Sequence, residues 1–155
     1  MMTTPQPGER APDFELPGTE GRVRLSEVLA SGPVVLTFYQ EDGTPVCQSQ
    51  LAAFRDDYDV LRELGASVLA VSVDPLSEHQ AFAARLRPPF PLLADEDGAV
   101  ARAYGVYDPE QRRARRAVFV IDRDGTVRLS IPWYNPARAD QYEQVFRALG
   151  FAPEG

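Results

Sequence analysis

Apolar residues fall into two kinds of run along this chain. At 33–39, "PVVLTFY" is apolar almost without interruption, and "ASVLAVSVD" at 66–74 repeats the pattern. Unbroken stretches of β-branched and aromatic residues suit strands that are covered on both faces. Between them Val46, Leu51, Phe54, Tyr58, Leu61 and Leu64 recur at steps that follow a helix face, up to Gly65. That spacing predicts one helix of about five turns beginning at Pro45. Further on, "PLSEHQAFAARL" predicts a helix with Pro75 near its first turn, "FPLLAD" a short strand, and "GAVARAYG" one or two helical turns. "RAVFVIDRDGTVRLSIPW" reads as a hairpin turning at Asp124-Gly125, a pair that tolerates positive φ. The final "ARADQYEQVFRALG" places Tyr142, Val145, Phe146 and Leu149 on one helical face and stops at Gly150.

Ahead of the first strand, residues 1–12 are rich in Pro, Thr and Gly and read as an extended arm. Alternation around Pro-Gly and Glu-Gly predicts a short hairpin over 14–25, and Ser26 is placed to cap the brief helix "SEVLA" before Gly32 and Pro33. Strands alternating with helices call for parallel pairing through right-handed crossovers, and the hairpin adds an antiparallel edge. The expectation is an α/β, thioredoxin-like fold: a mixed central β-sheet covered by helices on both faces, with an N-terminal β-hairpin. No repeat or linker divides residues 1–155, so a single domain is expected.

Composition narrows the chemistry. The net charge of −7 disfavours nucleic acid and anionic membrane surfaces, and no stretch approaches the length of a membrane span. Every basic residue is arginine, which removes lysine Schiff-base chemistry and the phosphate-loop lysine. One cysteine and one histidine exclude an intrachain disulfide and leave too few soft ligands for a structural zinc; no metal or cofactor is expected. The N-terminus lacks the apolar run of a signal peptide, and a cytoplasmic location that keeps the thiol reduced is the expectation.

The lone thiol sits in "FYQEDGTPVCQSQL". Threonine favours the N-cap and proline the first helical position, so Thr44 and Pro45 open the helix and Cys47 falls in its first turn. Unpaired backbone N–H groups and the helix dipole there favour a thiolate. A small buried hydrophobe is the competing reading of any free cysteine. Geometry along the sequence leaves both open.

Thr44 three residues before Cys47, after "VVLTFY", resembles the signature of the peroxiredoxins, the alkyl hydroperoxide reductase and thiol-specific antioxidant family. Arg116 ahead of "VFVIDRDG" matches a second family element, and "GERAPDFEL", "SVD" and "FPLLADEDGAVARAYGV" follow in family order. The likeness spans roughly residues 8–150. It implies a thiol-dependent peroxidase: Cys47 attacks hydrogen peroxide or an organic hydroperoxide and becomes a sulfenic acid. Thr44 would hydrogen-bond sulfur and peroxide, Arg116 would stabilise the thiolate and the leaving oxygen, and the N–H groups of Val46 and Cys47 would complete the cradle. Two positions depart from the family. Gln40 stands where relatives have proline, and Gln50 where many have an acid; either could contact peroxide. The chain lacks a second cysteine, as in the family's single-cysteine branch. Recycling then requires an external thiol, from thioredoxin, a glutaredoxin-like protein or a low-molecular-weight thiol. The resemblance also implies a homodimer. A thioredoxin-like redox sensor or binding module with little turnover is the alternative reading, and a thiol-disulfide oxidoreductase is disfavoured for want of a Cys-x-x-Cys pair.

Other polar residues carry ordinary expectations. His79 is expected at the surface, Trp133 as packing at a strand end, Arg112, Arg113 and Arg115 as a solvated basic loop, and residues 96–98 as a turn without the carboxylates of a calcium loop.

Overall fold

A computed structural model describes residues 3–151. In chain order the elements are β1 (Glu15–Leu16), β2 (Val23–Arg24), α1 (Leu25–Leu29), β3 (Val34–Phe38), α2 (Pro45–Asp56), α3 (Tyr58–Glu63) and β4 (Ser67–Ser72). There follow α4 (Leu76–Leu86), β5 (Leu92–Ala94), α5 (Ala99–Ala103), β6 (Tyr107–Asp108), β7 (Arg113–Ala114), β8 (Ala117–Ile121), β9 (Val127–Ile131) and α6 (Ala139–Ala148).

The central sheet runs β5-β4-β3-β8-β9. β3 pairs parallel with β4, and β4 with β5, while β8 is antiparallel to both β3 and β9. All five residues of β3 and of β8 are buried, which is why those stretches show no polar alternation. Successive side chains point to opposite faces, so each strand feeds two cores. Val34, Leu36, Phe38, Phe119 and Ile121 pack with Leu25 and Leu29 of α1 and Val100 and Ala101 of α5. Val35, Tyr39, Val118 and Val120 pack with residues of α2, α3, α4 and α6. The mixed sheet, the helices on both faces and the N-terminal hairpin all match the sequence expectation.

Three local features differ from it, and one adds to it. The long helix predicted after Pro45 is interrupted at Asp57 (φ −101°, ψ 16°). There the hydroxyl of Tyr142 on α6 lies 2.8 Å from the Ala53 carbonyl and 2.6 Å from Asp57 Oδ2, while Asp57 N–H keeps its own bond to Ala53 O at 3.1 Å, so the junction of α2 and α3 is tied to α6. Ser26 does not cap α1: the helix starts one residue earlier, and the Ser26 N–H donates to Asp13 Oδ1 at 2.9 Å. Arg112 is exposed as expected, but the segment is not a plain solvated loop: it closes a small hairpin, β6 against β7, in which Arg113 pairs with Asp108. The N-terminal arm is fastened to the β9 end, with Gly8 N–H donating to Val127 O and Ala11 N–H to Gly125 O, both at 2.9 Å.

Candidate active site

β3 and β4 are parallel and β8 runs against them, so the C-terminal ends of β3 and β4 and the start of β8 meet at one edge. The register fixes this: Phe38 pairs with Val71 on one side and with Ala117 on the other. Tyr39, Ser72 and Arg116, each one step beyond, gather there, and the loop 40–43 carries the chain from that edge into α2. Open α/β sheets place their chemistry at such strand ends.

Thr44 is the N-cap of α2, with Pro45 at the first helical position and Cys47 in the first turn. The cap lacks a side-chain bond; the Thr44 hydroxyl instead donates to the Glu41 carbonyl at 3.4 Å. Proline brings no N–H, and the first intrahelical bond runs from Gln48 N–H to Thr44 O at 2.8 Å. The N–H groups of Val46 and Cys47 therefore have no acceptor within the helix. Cys47 is fully buried, in the apolar cluster that holds Tyr39, Leu51, Val118, Val120 and Tyr134. Val46 beside it is 47% exposed.

Arg116 reaches the same place from β8. By strand alternation it shares the face of Val118 and Val120, the Cys47 side of the sheet. Its Nη1 donates to Gln40 Oε1 at 2.8 Å, while its Nε is buried with no partner among the described residues. A cleft of about 430 Å³ opens here, lined by Gln40, Val46, Asp108, Arg115, Arg116, Trp133, Tyr134 and Asn135. Burial pushes the Tyr134 phenol up to about 12, so it lines the cleft as a neutral hydroxyl.

Gln50 turns away from the cleft. Its amide Nε2 donates to Thr37 Oγ1 at 2.7 Å and Phe38 O at 3.0 Å, pinning α2 to β3, and its Oε1 is buried without a partner among the described residues. Trp133 is not packed at a strand end: it is 71% exposed, with the Arg115 guanidinium 4.0 Å from its ring centroid. Arg113 is likewise engaged, donating through Nη1 to Glu41 Oε2 at 2.8 Å.

His79 overturns the surface expectation. It is fully buried, Nε2 lies 3.0 Å from Leu93 O, and Nδ1 lies 2.7 Å from Asp42 Oδ2. A carbonyl only accepts, so Nε2 carries a proton towards Leu93, and Nδ1 faces Asp42. The Tyr39 hydroxyl donates to Asp42 Oδ1 at 2.6 Å, and Asp74 Oδ2 accepts from the Asp42 N–H and from the Ser72 hydroxyl at 2.8 and 2.7 Å. Burial, reinforced by the charge of Asp42, holds the Tyr39 phenol well above its usual range. Burial also raises the Asp74 carboxyl, against the lowering pull of its two donors. This cluster ties loop 40–43 to β4, α4 and β5. A signal for it was present in the sequence, because His79 falls on the helix face of Phe82 and Leu86.

Residues 7–130 match the AhpC/TSA family. The chain is 36% identical over 126 residues to a Coxiella burnetii protein named peroxiredoxin bcp, covering 77% of this chain and 83% of that one. It is 40% identical over 124 residues to a chloroplastic peroxiredoxin Q of Gentiana triflora, covering 79% of this chain but 57% of the longer plant protein. Among solved structures, peroxidoxin BcpB from Mycobacterium tuberculosis superposes with a TM-score of 0.81 at 37% identity, covering 93% of this chain and 97% of that one.

Proposed function

The chain belongs to the AhpC/TSA family, the peroxiredoxins, whose members are thiol-dependent peroxidases, and we propose that its reaction runs through Cys47 with Thr44 and Arg116. The observation that carries this reading is the convergence at one sheet edge of the α2 first turn, holding the only cysteine, and Arg116 from β8, which share the cleft at Val46 and Gln40.

The chemistry follows from the groups present. The thiolate of Cys47 attacks one peroxide oxygen along the O–O axis; an S–O bond forms as the O–O bond breaks. Sulfur is oxidised by two electrons, and the departing oxygen takes a proton and leaves as water or an alcohol. The free N–H groups of Val46 and Cys47 and the permanently charged Arg116 supply fixed donors for sulfur and for charge moving onto the leaving oxygen. The Thr44 hydroxyl, weakly held at 3.4 Å from Glu41 O, is free to turn to the peroxide.

Recycling is intermolecular, because the chain has no resolving cysteine. A thiol of thioredoxin, a glutaredoxin-like protein or a small molecule condenses with the sulfenic acid, releasing water and leaving a mixed disulfide that a second thiol reduces. Cys47 has no exposed surface, so the first turn of α2 must open before that thiol can reach sulfur. We place the reaction in the reducing cytoplasm, with the chain as a homodimer; the single unbridged cysteine supports the former and family membership the latter.

The direct test is intact-mass analysis after brief exposure to hydrogen peroxide. A single oxygen added to the parental chain and none to Cys47→Ser is the expected outcome. A parental chain that takes up no oxygen overturns the reading.

A further inference from the structure

Three residues anchor the loop that delivers Cys47, and one of them reaches into the cleft. Asp42 is fixed beneath the sheet edge by His79, Tyr39 and Asp74. Glu41 meets Arg113 on the outside. Gln40, the loop's first residue, accepts from Nη1 of Arg116 at 2.8 Å across the cleft wall. Resting on the assignment of Arg116 to the reaction, we infer that Gln40 is a positioning residue for it: the amide oxygen fixes the guanidinium at the mouth of the Cys47 site and leaves its charge uncompensated.

The chemistry of the acceptor matters as much as its place. No carboxylate lies within ion-pair distance of Arg116 among the described residues. A carboxylate in the position of Gln40 would orient the guanidinium equally well but would offset the charge on which a thiolate and a leaving oxygen draw. A neutral amide orients through one N–H and leaves the rest of the fork free. The guanidinium has a reason to need such a hold. Its Nε is buried and unpartnered, so on the described residues Gln40 is its one side-chain acceptor. A proline at this position, as the family pattern has it, stiffens the loop but offers no side-chain acceptor; here the order of the loop comes from Asp42 and Glu41, and Gln40 is free to serve Arg116.

The test is a double-mutant cycle on the second-order rate of Cys47 oxidation by hydrogen peroxide, followed by quenched intact-mass analysis. Gln40→Ala in the parental chain is expected to slow oxidation about three- to tenfold, the scale of one lost hydrogen bond of ordinary net strength. In an Arg116→Ala background the same change is expected to make no further difference, which a residue acting only on the loop would not show. Gln40→Pro, restoring stiffness without an acceptor, is expected to be slow as well. Gln40→Ala at the parental rate, an equal slowing in both backgrounds, or Gln40→Pro at the parental rate each overturns the inference while leaving the peroxidase reading intact. A parental chain inert to peroxide overturns both.

Discussion

Replacing His79 with alanine probes the cluster beneath the loop. Both ring nitrogens are engaged, at 2.7 and 3.0 Å, and the side chains of His79 and Asp42 are 0% and 5% exposed, so neither bond can be handed to solvent without opening the core. Alanine leaves Asp42 Oδ2 short of its nearest donor, strips Leu93 O of its side-chain partner and leaves a ring-sized void. Two buried acceptors left short of a partner cost about 1–3 kcal/mol each, so a loss of about 2–6 kcal/mol is expected. For a chain of this size each kcal/mol moves the melting temperature by about 2–4 °C, so a fall of roughly 4–24 °C is expected by calorimetry or circular dichroism. A melting temperature lowered by less than about 2 °C would refute the reasoning, because a ring bonded on both sides cannot be lost so cheaply.

Other consequences can be read more briefly. Cys47→Ser should abolish peroxide consumption, and Arg116→Ala should slow Cys47 oxidation by about 100-fold or more, the scale of losing a preorganised donor; stopped-flow oxidation at the parental rate in Arg116→Ala removes that residue from the reaction. Asp74 has a raised carboxyl, so the folded chain keeps its proton to higher pH than the unfolded chain, and stability falls as pH climbs from about 4 through the raised value. Asp74→Asn keeps an oxygen for both donors, since Asp42 N–H and the Ser72 hydroxyl share Oδ2. The melting temperature of Asp74→Asn relative to the parental chain should therefore rise between about pH 4 and pH 7, and a flat or falling difference refutes the assignment.

Much of the architecture was legible because the two unbroken apolar strands and the Asp124-Gly125 turn are local signals that tertiary contacts reinforce. What the sequence hid depends on partners far along the chain. The junction at Asp57 is bonded by Tyr142, and the start of α1 by Asp13, neither visible in a local window. His79 is instructive: its helical spacing with Phe82 and Leu86 was readable, but a polar residue on an apolar face calls for a buried acceptor, and that acceptor, Asp42, lies in a loop that reads as solvent-exposed. The helix start that places Thr44 and Cys47 is a local signal, whereas Arg116 was singled out by the family resemblance, with strand alternation assigning its face. Trp133 and Arg115 were misjudged together, since their stacking is a contact between a strand end and a loop that no periodicity encodes.

The polar cluster and the arginines divide the work of holding one short loop. A reactive thiol in a first helical turn needs its N–H groups aimed and its sulfur accessible, and those demands conflict: tight packing gives the first, and opening the turn gives the second. The loop resolves this by being anchored at Asp42, deep and on several partners, and at Gln40 and Glu41 through contacts at the surface. Opening the first turn of α2 breaks few bonds, since Pro45 donates none and Thr44 makes no cap bond, so the cost is mainly the burial of Cys47 itself. The anchored cluster then keeps the loop's path while the turn opens, and Cys47 returns to the same donors after reduction. His79→Ala separates the two demands experimentally: alkylation of Cys47 by a bulky reagent should quicken as the anchor loosens, while oxidation by hydrogen peroxide slows. Rates that move in the same direction would mean that anchoring and aiming are not distinct.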